Sequence, residues 1–246
     1  MELLIDIGNT SLKWTLGRPG AQGALEPMRS LRHHGHMPID LIAAWETLPK
    51  PARVRAACVA GPTLAQSLAK VSRAFWGLEP EFVQPRSHSA GLVIAYEDPL
   101  RLGVDRWLAL LAGHHLSQGP VLILDAGTAI TFDLLLTGGR HLGGLILPGI
   151  ETMRQGLLAN TQIPRVEPQE SAAWWARDTA TAIAVGSLDA PAALAERLLR
   201  QLAQEAGVEP ILLLTGGDAE RLQSRVQAPS RLIPDLVLQG LALVPD

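Results

Sequence analysis

Two stretches of the chain share one alternation of apolar run and polar turn. Leu3-Leu4-Ile5 leads into Asp6-Ile7-Gly8-Asn9-Thr10, and Val121-Leu122-Ile123-Leu124 leads into Asp125-Ala126-Gly127-Thr128. Each run has the length and β-branched content of a buried strand. A second apolar stretch follows each turn, over 12–16 and 130–136, so each pair reads as a hairpin closed by an acidic turn. Further along the first half, the pattern predicts a third short strand within 18–31, a helix over 40–47 and a strand over 54–59. A helix then runs from Pro62 to about residue 75, and a short strand covers 81–83. A helix over 102–116, opened near Pro99, crosses to the second half. There the order repeats, with a third strand over 142–147 and a helix from Pro148-Gly149 to about residue 158. A Pro- and Glu-rich loop over 162–171 separates this from a helix over 179–206. A strand over 210–214 and helices over 218–226 and 234–243 complete the series. Each half reads strand, strand, strand, helix, strand, helix, which predicts mixed sheets flanked by helices, an α/β fold with an internal duplication.

The turns carry chemistry as well as geometry. A carboxylate at a strand end can hold hydrated Mg²⁺, Gly lets the backbone approach a phosphate, and Thr offers a hydroxyl and an N–H. Two such turns about half a chain apart suggest two domains clamping one nucleotide. A third signal is Leu212-Leu213-Leu214-Thr215-Gly216-Gly217-Asp218. A buried strand running into Thr-Gly-Gly and a helix sets bare backbone beside a flat ligand, with the helix N-terminus available to phosphate oxygens. In this company it resembles the adenosine contact of the acetate and sugar kinase, actin and heat-shock chaperone ATPase superfamily. The chain has no Gly-x-x-x-x-Gly-Lys-Ser/Thr segment, which argues against a P-loop enzyme.

Composition narrows the class. The 246 residues are 47% hydrophobic and 18% charged, with a formal net charge of −3. This is a globular balance with no basic face for nucleic acid. The lone cysteine, Cys58, excludes an intrachain disulfide framework and a Cys-based zinc site, and suits a reducing compartment. No apolar run reaches the ~18 residues of a membrane helix, and the first residues lack the basic start of a signal peptide. The expectation is a soluble cytoplasmic protein that binds neither membrane nor nucleic acid.

A fourth signal is Tyr96-Glu97-Asp98-Pro99-Leu100-Arg101-Leu102-Gly103-Val104-Asp105-Arg106. It joins a carboxylate and a guanidinium at the start of the crossover helix. Phosphoryl transfer needs a base near the attacking hydroxyl and cations to spread charge, and Arg106 can hold a carboxylate in bidentate geometry. Together with Asp6–Thr10, Asp125–Thr128, Gly143-Gly144 through Pro148-Gly149, Asp178-Thr179 ahead of Gly186, Thr215-Gly216-Gly217 and Pro234-Asp235-Leu236, this stretch resembles the type III pantothenate kinases, the Bvg accessory factor family. The resemblance covers nearly the whole chain in the family's order.

That resemblance implies a fold of two actin-like, ribonuclease-H-like domains, over 1–105 and 106–246. It implies ATP-dependent phosphorylation of the primary hydroxyl of pantothenate, the first step toward coenzyme A. It also implies Mg²⁺ with ATP, a monovalent cation (K⁺ or NH₄⁺), and a homodimer whose pantothenate site lies near the interface. By matching positions, Asp6, Ile7, Gly8, Asn9, Thr10, Ser11, Leu12 and Lys13 face the ATP phosphates, with Asp6 serving Mg²⁺. Thr128, Gly216 and Gly217 contact ATP, and Asp125 binds the monovalent cation. Asp105 is the general base. Tyr96, Gly103, Val104, Asp105, Arg106 and Thr179 line the pantothenate site. Lys13, Lys50 and Lys70 are the only lysines in an arginine-using chain, which makes a Lys right after the first turn notable.

Plainer readings stand beside these. Asp6 and Asp125 also suit ordinary turns. Asp105 and Arg106 suit a helix-start acid and a surface ion pair, Thr179 suits a helix cap, and Tyr96 suits packing. His33, His34 and His36 suggest a metal but fit a solvated loop better. His114-His115 fit a helix end facing water or a partner, Trp174-Trp175 fit packing or an interface, and Met153 with the leucines after it fits a core-facing helix side. Two rival functions remain open: another small-molecule kinase of the superfamily, and a regulatory or binding protein that kept the fold and lost catalysis.

Overall fold

The computed structural model describes residues 1–18, 25–164 and 175–245. The chain divides into two compact units, one formed by Met1–Leu116 with Asp235–Asp246 and the other by Ser117–Pro234.

In the first unit, β1 (Glu2–Ile7) and β2 (Ser11–Gly17) form the expected hairpin, and β3 (Arg29–Arg32) extends it. β4 (Arg53–Cys58) runs parallel to β1 on its other side, and β5 (Glu81–Phe82) follows β4, giving the order β3-β2-β1-β4-β5. β1 is buried at every position because it lies in the middle of this sheet. Leu3, Ile5 and Ile7 on alternate positions share a core with Leu12, Trp14, Trp45 and Trp76, the last two brought by α1 (Ile39–Glu46) and α2 (Pro62–Trp76). Residues 87–99 hold two strands of two residues each, β6 (His88–Ser89) and β7 (Leu92–Val93), before a 3₁₀ turn over Pro99–Arg101 and the helix α3 (Val104–Leu116).

The second unit repeats the plan. β8 (Val121–Ala126), β9 (Ala129–Leu135), β10 (His141–Pro148), β11 (Ile211–Thr215) and β12 (Ser230–Leu232) take the order β10-β9-β8-β11-β12. This is the first unit's order with each strand replaced by its counterpart. Helices α4 (Ile150–Ala159), α5 (Thr179–Ala206) and α6 (Ala219–Gln223) bury Ile150, Leu188, Leu199, Leu202 and Leu222 against Leu122, Leu124, Phe132 and Leu214 of the sheet. The last helix, α7 (Leu236–Leu243), belongs to the first unit.

The resemblance implies domains over 1–105 and 106–246; the compact units run over Met1–Leu116 with Asp235–Asp246 and over Ser117–Pro234, so α7 lies in the first. α7 packs on α3 and on β1, β2 and β4, and its approach to α3 is close. A Cβ on Gly240 of α7 would collide with the Leu108 carbonyl oxygen of α3, so only glycine permits this approach. Trp107, Leu108, Leu238 and Leu241 are buried around it. β12 went unforeseen because three residues with Arg231 at the centre carry no apolar run. The expected loop over 162–171 and the predicted Trp174 fall partly or wholly outside the described residues. Trp175 is 86% exposed, so it is not packed into the core of the described residues. Met153 meets the core as expected, but Leu157 on the same helix is exposed.

Candidate active site

The first acidic turn joins β1 to β2. Gly8 N–H donates to the Ser11 carbonyl at 3.0 Å, which closes the turn. Asp6 sits one residue before the end of β1, only 8% exposed, and pairs across the hairpin with Lys13. Opposed residues of an antiparallel pair point to the same face, so Asp6 and Lys13 share one face of the hairpin. The neighbouring strand β4 ends in Cys58, opposite Ile7. Burial pushes the Cys58 thiol above its ordinary range, and the Asp6 charge adds to that, while hydrogen bonding at Ala60 and Gly61 partly opposes it.

His33 overturns one expectation. It is 6% exposed, not part of a solvated loop. Its Nε2 donates to the Gly8 carbonyl at 2.7 Å, and its backbone N–H donates to the Thr10 carbonyl at 3.0 Å. Its neighbours His34 and His36 are exposed, as the solvated-loop reading of all three expects, and nothing local in the sequence distinguishes His33 from them.

The second turn joins β8 to β9, where Gly127 N–H donates to the Ala129 carbonyl at 3.0 Å. Asp125 faces Thr131 rather than a lysine across the hairpin, and pairs with Thr215 of β11 on the other side. The Thr128 carbonyl is held twice, by Gly149 N–H at 2.8 Å and by the Thr152 hydroxyl at 2.9 Å, both from the start of α4. Gly149 must be glycine on contact grounds alone: a Cβ there would run into the Gly127 carbonyl and lie 2.6 Å from that of Thr128. Gly216 has φ +96°, and a Cβ on it would strike the Ala126 carbonyl and lie 2.5 Å from Asp125 Oδ1. The Thr-Gly-Gly segment is therefore pressed against the acidic turn, and the structure brings Asp125 and Gly216 together. Gly217 has open space around it.

The third cluster stands at the start of α3. Asp98 accepts from Leu100 N–H at 3.0 Å and caps the 3₁₀ turn, and buried Leu102 anchors the chain before the helix. Gly103 follows, and a Cβ there would lie 2.5 Å from Asp105 Oδ1, so a larger residue would displace the Asp105 carboxylate. Asp105 is half-buried, and its Oδ1 accepts the Arg106 N–H at 2.8 Å. A carboxylate in the first helical turn is also favoured by the helix dipole. Arg106 is only 7% exposed. Its Nη1 donates to the Tyr96 hydroxyl at 3.2 Å, and its guanidinium carbon stands 5.9 Å from the Tyr96 ring centroid, within cation–π range. Tyr96, Gly103, Asp105 and Arg106 thus form one constellation, and Arg106 is no surface ion pair.

Thr179 is exposed at the first position of α5 and is not the cap. That role belongs to Asp178, which accepts from Thr181 N–H at 2.9 Å and from the Thr181 hydroxyl at 2.7 Å. These two bonds hold the Asp178 carboxyl below its ordinary range. Among the described residues, no three His, Cys, Asp or Glu side chains gather as a metal site. A cation here would rest on single carboxylates completed by phosphate, carbonyl or water oxygens. That donor set fits Mg²⁺, which keeps its waters and binds through one or two carboxylates plus phosphates.

Comparison with known proteins places the chain. Residues 2–201 match the type III pantothenate kinase family. A type III pantothenate kinase of Nitrosococcus oceani is 36% identical over 253 residues, covering 99% of this chain and 93% of that protein. One from Aromatoleum aromaticum is 37% identical over 250 residues, covering 99% and 97%. Among solved structures, a Baf family protein from Campylobacter jejuni superposes with a TM-score of 0.57 at 20% identity, covering 97% of this chain and 94% of that one. A candidate 2-dehydro-3-deoxygalactonokinase from Sinorhizobium meliloti superposes with a TM-score of 0.59 at 14% identity, covering 98% and 97%. The structural likeness carries the fold, that of the sugar kinase and actin-like ATPases. The sequence relationship carries more: this chain belongs to the type III pantothenate kinase family.

Proposed function

We propose that the chain transfers the γ-phosphoryl group of ATP to the primary hydroxyl of pantothenate, giving 4′-phosphopantothenate and ADP at the first step toward coenzyme A. The observation that carries this reading is the Tyr96–Asp105–Arg106 constellation at the start of α3, in a chain of this family. Arg106, held by Tyr96, offers a planar pair of donors that matches the pantothenate carboxylate. Asp105 accepts the proton of the attacking hydroxyl as the new O–P bond forms and the bond from the γ-phosphorus to the β-phosphate oxygen breaks.

The first turn, Asp6 through Lys13, meets the ATP phosphates with backbone N–H groups and the Lys13 ammonium. Thr128, Gly216 and Gly217 contact the nucleotide, and Thr179 and Val104 contact pantothenate. Asp6 would hold Mg²⁺, which neutralises phosphate charge when bound. Asp125, with a hydroxyl rather than a lysine across its hairpin, would hold the monovalent cation, K⁺ or NH₄⁺. The protein acts in the cytoplasm, in keeping with its single cysteine and with the absence of any described helix long and apolar enough to cross a membrane. It works as a homodimer. Leu145 and Ile146 on edge strand β10, exposed by 44% and 60%, are surfaces that a second copy would cover. Sedimentation at assay concentration checks this, and a fully active monomer would refute it.

An ATP-dependent phosphorylation assay with pantothenate tests the reaction. Asp105→Asn should lower kcat by roughly 10²–10⁴, the usual weight of a general base, with ATP binding little changed. Arg106→Ala should mainly raise KM for pantothenate. If Asp105→Asn kept kcat within a few-fold of the parent, the base would lie elsewhere.

A further inference from the structure

His33 is a buried titratable side chain that the reaction above does not use. Three bonds fix it: Nε2 to the Gly8 carbonyl at 2.7 Å, its backbone N–H to the Thr10 carbonyl at 3.0 Å, and Gly35 N–H to its Nδ1 at 3.3 Å. Because Gly35 donates to Nδ1, the ring proton resides on Nε2, where it is given to Gly8. The residue follows directly on β3, so the sheet itself sets its position. Two carbonyls of one short turn are therefore held by one residue.

We propose that His33 is a positioning residue for the ATP phosphates, clamping the first acidic turn so that its N–H groups face the nucleotide. The argument rests on peptide geometry. In a planar trans peptide the C=O and the following N–H point in opposite directions. Drawing the Gly8 carbonyl toward the ring turns Asn9 N–H away from it. Drawing the Thr10 carbonyl toward the His33 backbone does the same for Ser11 N–H. An N–H fixed before binding costs less to order when an anion arrives. Without the imidazole, the Gly8–Asn9 peptide loses the bond that sets its plane. The inference depends on the reading that this turn faces ATP.

The test compares the parent with His33→Phe, which keeps a ring but has no donor, and His33→Gln, whose side-chain amide nitrogen can replace Nε2. Losing one hydrogen bond of ordinary strength should lower kcat/KM for ATP roughly three- to tenfold, with KM for pantothenate within about twofold. His33→Gln should recover the ATP value. Should His33→Phe fail to fold, His33→Met removes the same donor and carries the comparison. A role confined to stability would lower Tm while leaving KM for ATP unmoved, and that result overturns the proposal. Nitrogen-15 NMR of the parent's imidazoles provides an independent readout. It should show His33 as the Nε2–H tautomer, and an Nδ1–H tautomer would overturn the clamp. If the parent had no pantothenate kinase activity, the functional reading would fall, while the tautomer would still decide whether the clamp exists.

Discussion

The two acidic turns begin from nearly the same sequence and end with different supports. Both close with a glycine N–H on the carbonyl three or two residues on, and both sit at the end of a central strand in sheets of identical order. In the first, Asp6 faces Lys13 and the turn carbonyls are held by His33. In the second, Asp125 faces Thr131, and the holding groups are Gly149 N–H and the Thr152 hydroxyl at a helix start. The glycines after the parallel strands differ as well. Gly61 has φ +91° with nothing near its missing Cβ, whereas Gly216 at φ +96° is pressed on the Ala126 carbonyl. Duplication preserved the backbone plan, while the atoms that rigidify each turn diverged. The charge difference follows the proposed division of labour: a carboxylate beside a lysine suits a metal–phosphate complex, and a carboxylate beside a hydroxyl suits a singly charged ion.

The sharpest way to break this comparison is to neutralise each aspartate in turn. Asp6→Asn should lower kcat by at least roughly 100-fold in any salt, since metal stabilisation of transferring phosphate is worth several kcal/mol. Asp125→Asn should instead abolish the rise in rate that K⁺ or NH₄⁺ gives the parent over Na⁺. Measuring both variants in the three salts decides it, and equal parental rates in all three would remove the cation assignment.

The glycines give a smaller contrast. Alanine at either Gly61 or Gly216 meets backbone strain of about 1–3 kcal/mol. Gly216→Ala adds a collision with backbone, so its denaturation midpoint should fall clearly further, and its KM for ATP should rise while that of Gly61→Ala holds. Equal midpoints would show that the second turn yields as readily as open space.

The smallest effect lies at the helix starts. α2 begins at Gly61-Pro62 with no side-chain cap, whereas α5 begins with the Asp178 cap. The Asp178 carboxyl is held below its ordinary range, so its stabilisation is present above the unfolded-state value and is lost as pH falls through the folded-state value. Asp178→Ala should lower Tm slightly at pH 7, and the gap from the parent should close in acid. A gap that persisted at low pH would mean that the carboxylate charge contributes nothing.

Much of this was legible in the sequence, for physical reasons. The strands that carry Asp6 and Asp125 next to their last residues announce themselves because central strands must be apolar on both faces. The 28-residue helix α5 was visible end to end because Asp178 opens it and Gly207, in left-handed conformation, closes it. Arg106 with Tyr96 was legible as chemistry, though not as a buried contact. What escaped depends on distance along the chain. His33 meets a carbonyl 25 residues away, and no local pattern separates it from His34. The place of α7 in the first unit involves Gly240 meeting Leu108, which no window of neighbouring residues records.

That return of α7 matters to a ribosome. Synthesis runs from the N-terminus, and domains generally fold as they emerge. The second unit, Ser117–Pro234, is therefore complete in the nascent chain before the first unit, begun earlier, can receive α7 and the Arg55 side chain can close on the Val244 carbonyl at 2.9 Å. Until then the α3 surface around Leu108 has no helix to cover it. The half of the protein made first is the half finished last, and the newborn chain has most need of a chaperone during that interval.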